Sequence, residues 1–190
     1  MTTNYAAAWE AVVRDPRYLR NIAWGQPRSG HPEGTIEAHI HELESNLARM
    51  RPRLTDVEQA KLRLLVHVHD TLKPEALQGV AIAHPQSHAS LARAFLAEFC
   101  DPADPEDADL LNMVQLHDEP YALWQQVRGK RSYSQNRADQ LLSTIGDWEL
   151  FTAFVIIDNS TAGKSREPLH WFFNEFADLK QKRWEIDALQ

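Results

Sequence analysis

The stretch LLVHVHDTLK, residues 64–73, closes an apolar run with an adjacent His69–Asp70 pair and places Lys73 just beyond it. An ionised carboxylate buried beside an imidazole is costly unless something compensates its charge. Taken alone, the pair reads as a structural salt link. It does not stand alone, because the chain carries nine histidines and several fall at comparable places. His39, His84 and His117 each lie on or beside the inward stripe of a separate predicted helix, or at its end, and Asp158 does likewise. Imidazoles and carboxylates gathered from several helices make a nitrogen/oxygen site suited to Fe, Mn, Ni, Co or Zn. Mg is less favoured because it prefers oxygen. Helix bundles build metal sites from facing helices in this way. Neighbouring His69 and Asp70 differ by about 100° around a helix, yet both can reach an ion placed at that helix's end.

The elements that must position these groups are helical. Thr55 and Glu58 in TDVEQAKLRLL have capping-box spacing and open a helix whose apolar face is Leu62, Leu65, Val66 and His69. An earlier helix is predicted from near Gly34 through IEAHIHELESNLARM, ending before Pro52. Further helices are expected in SHASLARAFLAEF, in ADLLNMVQLHD up to Pro120, in YALWQQV and in NRADQLLSTI. WELFTAFVIIDNS is β-branched enough to pass for a strand, but Phe151, Phe154, Val155 and Asp158 share one face at a period of 3.6, which favours helix. A last helix is expected through WFFNEFADLKQKRWEI. Strand-and-turn patterning is otherwise absent, so the expected fold class is all-α with about seven or eight helices.

Composition sets the frame around these elements. A chain of 190 residues suits one domain with a substantial core. Its 43% hydrophobic and 25% charged residues are ordinary for a globular protein. The single cysteine, Cys100, excludes an intramolecular disulfide and any multi-cysteine cluster, and fits a reducing compartment. No apolar run reaches the ~18 residues of a membrane span, and the N-terminus lacks signal-peptide patterning, so a cytoplasmic location is expected. A net charge of −7 is the wrong sign for wrapping a nucleic-acid polymer, while a small anionic ligand stays compatible with it. Phosphate-loop, nucleophile-elbow and dinucleotide glycine motifs are absent.

The ordered set His39, His69–Asp70, His84, His117, Asp158 resembles the H…HD…H…H…D signature of the HD-domain superfamily of metal-dependent phosphohydrolases. The likeness covers residues 31 to about 175. HPEGTIEAHI is similar to the entry segment of the HD domain found in bacterial tRNA nucleotidyltransferases, HDTLK to its HD-x-x-K, and HPQSHASLARAFL to its H-x3-[small]-A-x-LA. LHDEP and WELFTAFVIIDNSTAGK resemble the later histidine and closing aspartate segments.

The resemblance implies a single HD-domain bundle over 31–190 with a C-terminal helix packed on it, preceded by a helical extension over 1–30. It implies metal ligands His39, His69, Asp70, His84, His117 and Asp158, holding one or two divalent ions with Asp70 between them. It further implies hydrolysis of a phosphomonoester or phosphodiester, with nucleotides among the candidates, by a metal-bound hydroxide. Lys73 would contact phosphate, and Lys164 stands where relatives often carry arginine. The substrate would be a small phosphorylated molecule, with no nucleic-acid polymer and no membrane as partner; a homodimer is left open.

Only 30 residues lie before HPEG in this sequence, so no transferase head is expected there and template-independent nucleotide addition is not implied. His88 occupies a position usually small in relatives, as an extra ligand or a tolerated bulky variant. Asp118 is a candidate proton carrier or orienting group beside His117, with a helix cap as the plainer alternative. Arg137 is a candidate substrate contact, with a surface ion pair as its alternative. His41 and His67 read as solvent-facing or packing residues. Trp124, Trp148, Trp171 and Trp184 read as core, and Trp24 as a pocket-rim residue. RGKRSY, 128–133, reads as a solvated loop or a flap over phosphate. Two other functions share the same ligand set: a di-iron oxygenase of the same fold, and a catalytically silent metal- or nucleotide-binding regulator.

Overall fold

A computed structural model describes residues 3–177, 184 and 189. Among them the regular structure is helical, with two isolated bridge pairs and no sheet. The helices are α1 (Tyr5–Val12), α2 (Pro16–Asn21), α3 (Ile36–Met50), α4 (Asp56–Val68), α5 (His88–Leu96), α6 (Pro105–Leu116), α7 (Glu119–Lys130), α8 (Gln135–Thr144), α9 (Trp148–Asn159) and α10 (Glu167–Glu175). The fold is thus the expected all-α bundle. α1 and α2 make up the helical part of the first 30 residues. The expected run of the last helix through residues 178–183 and 185–186 lies outside the described residues.

α4 is the hub. Its N-terminus carries the capping box: Thr55 Oγ1 accepts from the Glu58 amide at 3.2 Å, and Glu58 Oε2 accepts from the Thr55 amide at 2.7 Å. The helix packs against α1, α3, α5, α6 and α9, which explains why Leu62, Leu64, Leu65, Val66 and Val68 are all fully buried. α9 is apolar on every side, and residues 150–157 are buried without exception. A helix with no polar face has to be enclosed, and this one sits against α3, α4 and α10. The ambiguous FTAFVIID segment is therefore a central helix rather than a strand.

Two hydroxyls tie the N-terminal segment to the bundle. Tyr5 Oη donates to Asp107 Oδ1 at 2.7 Å, Thr3 Oγ1 donates to Asp107 Oδ2, and the Asp101 amide donates to the same oxygen at 2.8 Å. Tyr5, Ala8 and Val12 join the same apolar cluster as α3, α4 and α9. No single described helix is long and apolar enough to cross a membrane; the α8–α9 pair reaches that length only through a 117° bend.

Candidate metal centre

The C-terminal end of α4 delivers the central pair. His69 caps the helix and Asp70 follows in a turn closed by the Lys73 amide on the Asp70 carbonyl at 3.0 Å. His69 is 1% exposed and Asp70 6%. The His69 Nδ1 lies 3.1 Å from the carbonyls of Leu65 and Val66. Carbonyls only accept, so Nδ1 carries the ring proton and Nε2 is a bare lone pair. That lone pair faces Asp70 Oδ2 at 3.5 Å and Asp158 Oδ1 at 3.9 Å. Burial drives the His69 pKa down to about 3, against the pull of the two carboxylates, so the ring stays neutral.

Three other helices close on the same point. α3 carries His39 one turn past its Thr35 cap, and the His39 Nε2 is 3.0 Å from Asp158 Oδ1. α9 presents Asp158 near its C-terminus, where the Lys164 ammonium sits 2.7 Å from the same oxygen. α6 ends at His117, whose Nδ1 donates to the Val114 carbonyl at 2.7 Å and so turns Nε2 toward Asp70 Oδ1, 3.6 Å away. α5 begins with His88, whose Nε2 is 3.8 Å from Asp70 Oδ1, 3.3 Å from His117 Nε2 and 3.2 Å from Asp118 Oδ2. Asp70 thus turns Oδ2 toward His69 and Oδ1 toward His88 and His117.

Ligand-type atoms of His39, His69 and Asp158 all lie within 4.8 Å of one another, as do those of Asp70, His88 and His117. These two groups could each hold a metal ion. The fit rests on atoms left over: His69 Nε2 and Asp70 Oδ1 are buried without a hydrogen-bond partner, although Lys73 and Lys164 already compensate the two carboxylates. Lone pairs buried against each other are stabilised by a cation between them. The same field holds Asp70 and Asp158 well below the ordinary carboxylate range. Burial pushes both up, and the lysine ammonium beside each, together with the neighbouring imidazoles, outweighs it. At His117 the pull of Asp118 and Asp70 overcomes burial and raises the pKa to about 9.

Five of the six sequence-predicted ligands are brought together; His84 is not. It lies in the turn before α5, where its Nδ1 accepts from the Gln86 amide at 3.1 Å, while Ser87 caps the helix and turns His88 inward. His88, one helical turn later, stands where His84 was expected. Arg137 takes the ion-pair alternative rather than the substrate contact. Its guanidinium is engaged by Glu119 of α7 at 2.7 and 2.8 Å, an ion pair between α7 and α8. Asp118 makes no side-chain cap and faces His88 and His117 instead. His67 is buried between Tyr18 Oη at 2.6 Å and Glu44 at 3.0 Å, a packing role, and His41 is exposed.

Glu33 was not singled out in the sequence, yet its buried Oε1 lies 2.9 Å from both His31 Nδ1 and His39 Nδ1. Carboxylates placed behind a ligating histidine fix its ring orientation. The signal was the acid inside HPEG, whose Gly34 sits at φ 85° with Pro27 packed where a Cβ would stand. Gly163, at φ 77°, likewise lets the loop after α9 close on Pro32, which brings Lys164 over the centre.

Of the cavities that border this centre, two are large. One, of about 440 Å³, is lined by Lys73, Asp118, Asp158, Lys164, Trp124 and Arg128 among others. Trp124 was expected in the core; it stands instead in this wall, 5.6 Å from the Tyr121 ring with the Arg128 guanidinium 5.5 Å from its own. Arg128 and Lys130 of the basic RGKRSY stretch end α7, and Arg131 caps it in a left-handed conformation. Trp148 and Trp171 pack against the core and Trp184 is buried. Comparison with family models, curated proteins and solved structures gives no match for this chain.

Proposed function

We propose that this chain is a metal-dependent phosphohydrolase of the HD type, acting on a small phosphomonoester or phosphodiester. The observation that carries the reading is Asp70, which offers one carboxylate oxygen to each of two histidine groups below a cavity lined by Lys73 and Lys164. Bound divalent cations would supply Lewis acidity, neutralising phosphoryl charge and lowering the pKa of water. His39, His69 and Asp158 would hold one, His88 and His117 the other, with Asp70 shared.

The rest of the chemistry belongs to the chain. Lys73 and Lys164 are each paired directly with one of the carboxylates, Asp70 and Asp158, and line the cavity where they are placed to meet the phosphoryl oxygens, on which charge builds in the transition state. In the net reaction a water oxygen joins phosphorus, the ester P–O bond breaks, and the departing alkoxide leaves as the alcohol. Asp118 Oδ2, beside the His88 and His117 rings, is placed to relay that proton. Full-length protein reconstituted with Mn²⁺ should turn over p-nitrophenyl phosphate and lose the activity to a chelator. Lys164→Ala should raise KM about 10-fold, as expected for loss of one charge-assisted contact. Iron-loaded protein that consumes oxygen and releases no phosphate would replace this reading with the oxygenase.

A further inference from the structure

Next to the cationic cavity lies a second one of about 570 Å³, which sets an apolar wall beside polar residues that include Arg28, Gln78 and Gln125. Lys73, Asp118 and Tyr121 border both cavities, but the second is walled by Trp24, Leu77, Val80 and Ile82 and reaches His88 at its inner end. Trp24 is 43% exposed, Leu77 52% and Tyr121 45%. Single exposed apolar residues are ordinary on a protein surface; three that converge on one concave site beside charged groups mark a place where something apolar is covered. The other large exposed apolar residues among those described, Leu19 and Val57, line neither cavity. Backbone bonds fix the wall: the Leu77 amide donates to the Gln86 carbonyl at 2.9 Å, and the Trp24 carbonyl accepts from the Ile36 amide at 3.0 Å. The cleft is therefore built into the fold.

We infer that this cleft binds the non-phosphate part of the substrate, and that the substrate is the phosphate ester of a flat, uncharged, aromatic-type alcohol. The inference rests on the phosphohydrolase reading for the position of the phosphoryl group. That group sits on the Lys164 side of the shared Lys73–Asp118 edge, and the ester oxygen crosses the edge. The ring then lies between Trp24 and Tyr121 against Leu77. Stacked or edge-on aromatic contacts and removal of Leu77 from water would supply the preference.

The test uses phosphonates, whose C–P bond resists hydrolysis, titrated calorimetrically into the Mn²⁺-reconstituted full chain. Benzylphosphonate should bind at least 10-fold more tightly than methylphosphonate. Trp24→Ala and Leu77→Ala, both at exposed positions that line the second cavity and not the cationic one, should erase most of that difference and leave methylphosphonate affinity within about twofold. Equal affinity for the two phosphonates, or a preference that survives both substitutions, overturns the inference while leaving the anion site standing. A gain as large for phosphonoacetate as for benzylphosphonate also overturns it, since Arg28 in the same cleft would then be serving a second anionic group. Failure of both phosphonates to bind would remove the phosphoryl site and the inference together.

Discussion

Asp70 is the residue on which the chemistry turns, since each of its oxygens faces a different set of imidazoles. The second set can be tested one side chain at a time. His88→Ala should cut bound metal from two equivalents per chain toward one, read by elemental analysis after reconstitution. His84→Ala should leave the content unchanged, because the His84 ring is engaged in its own turn with the Gln86 amide. The reverse pattern would restore His84 to the site. Arg137 makes a different prediction. Arg137→Ala leaves the buried Glu119 carboxylate without its partner, which costs about 1–3 kcal/mol. The thermal midpoint should fall while KM for p-nitrophenyl phosphate stays as it was. A raised KM with unchanged stability would instead make Arg137 a substrate contact.

At the scale of elements, the helices that position the site could be read from local chemistry. Thr55 and Glu58 announce the start of α4 because a capping box is a four-residue device that needs no tertiary information. Thr55→Ala should lower stability by about 1 kcal/mol, seen as a smaller urea midpoint with unchanged slope. α9 was legible for a related reason: its apolar residues recur at the helical period, and burial on every side explains the β-branched content. The His84–His88 ambiguity was not legible in the same way. Both rings stand beside the same helix start, and only the Ser87 cap decides which of them begins α5. Trp124 was misplaced for want of a similar fact, since a tryptophan among apolar neighbours looks the same whether it faces a core or a cavity. Glu33 escaped notice because its partners, His31 and His39, meet it through a loop whose shape depends on Gly34.

For the molecule as a whole, the bundle encloses charge at several separated places, and two of them have a signature of their own. Asp107 is fully buried under the N-terminal segment. Burial works to raise its pKa, but hydrogen bonds from Thr3, Tyr5 and the Asp101 amide, with Lys61 nearby, bring it below the ordinary value. A carboxyl depressed on folding contributes stability above its unfolded pKa of about 3.9, and that contribution is lost as pH falls through the folded value. The urea midpoint should therefore drop between pH 6 and pH 3, and drop less in Asp107→Asn, which starts lower at pH 6. Parallel profiles for the two proteins would assign the acid sensitivity elsewhere.

The second of these is the centre itself, where α3, α4, α5, α6 and α9 bring four imidazoles and two carboxylates together. Metal that binds only this folded arrangement stabilises the chain by an amount that grows with the logarithm of its affinity, and should raise the thermal midpoint. The most direct measurement is the metal content of the full chain after Mn²⁺ reconstitution and removal of free ion. Two equivalents are predicted for the native sequence, and a loss from both positions in Asp70→Ala, whose carboxylate serves both. A native chain that retains no metal, or an Asp70→Ala chain that retains two equivalents, would contradict a shared cationic centre at this place.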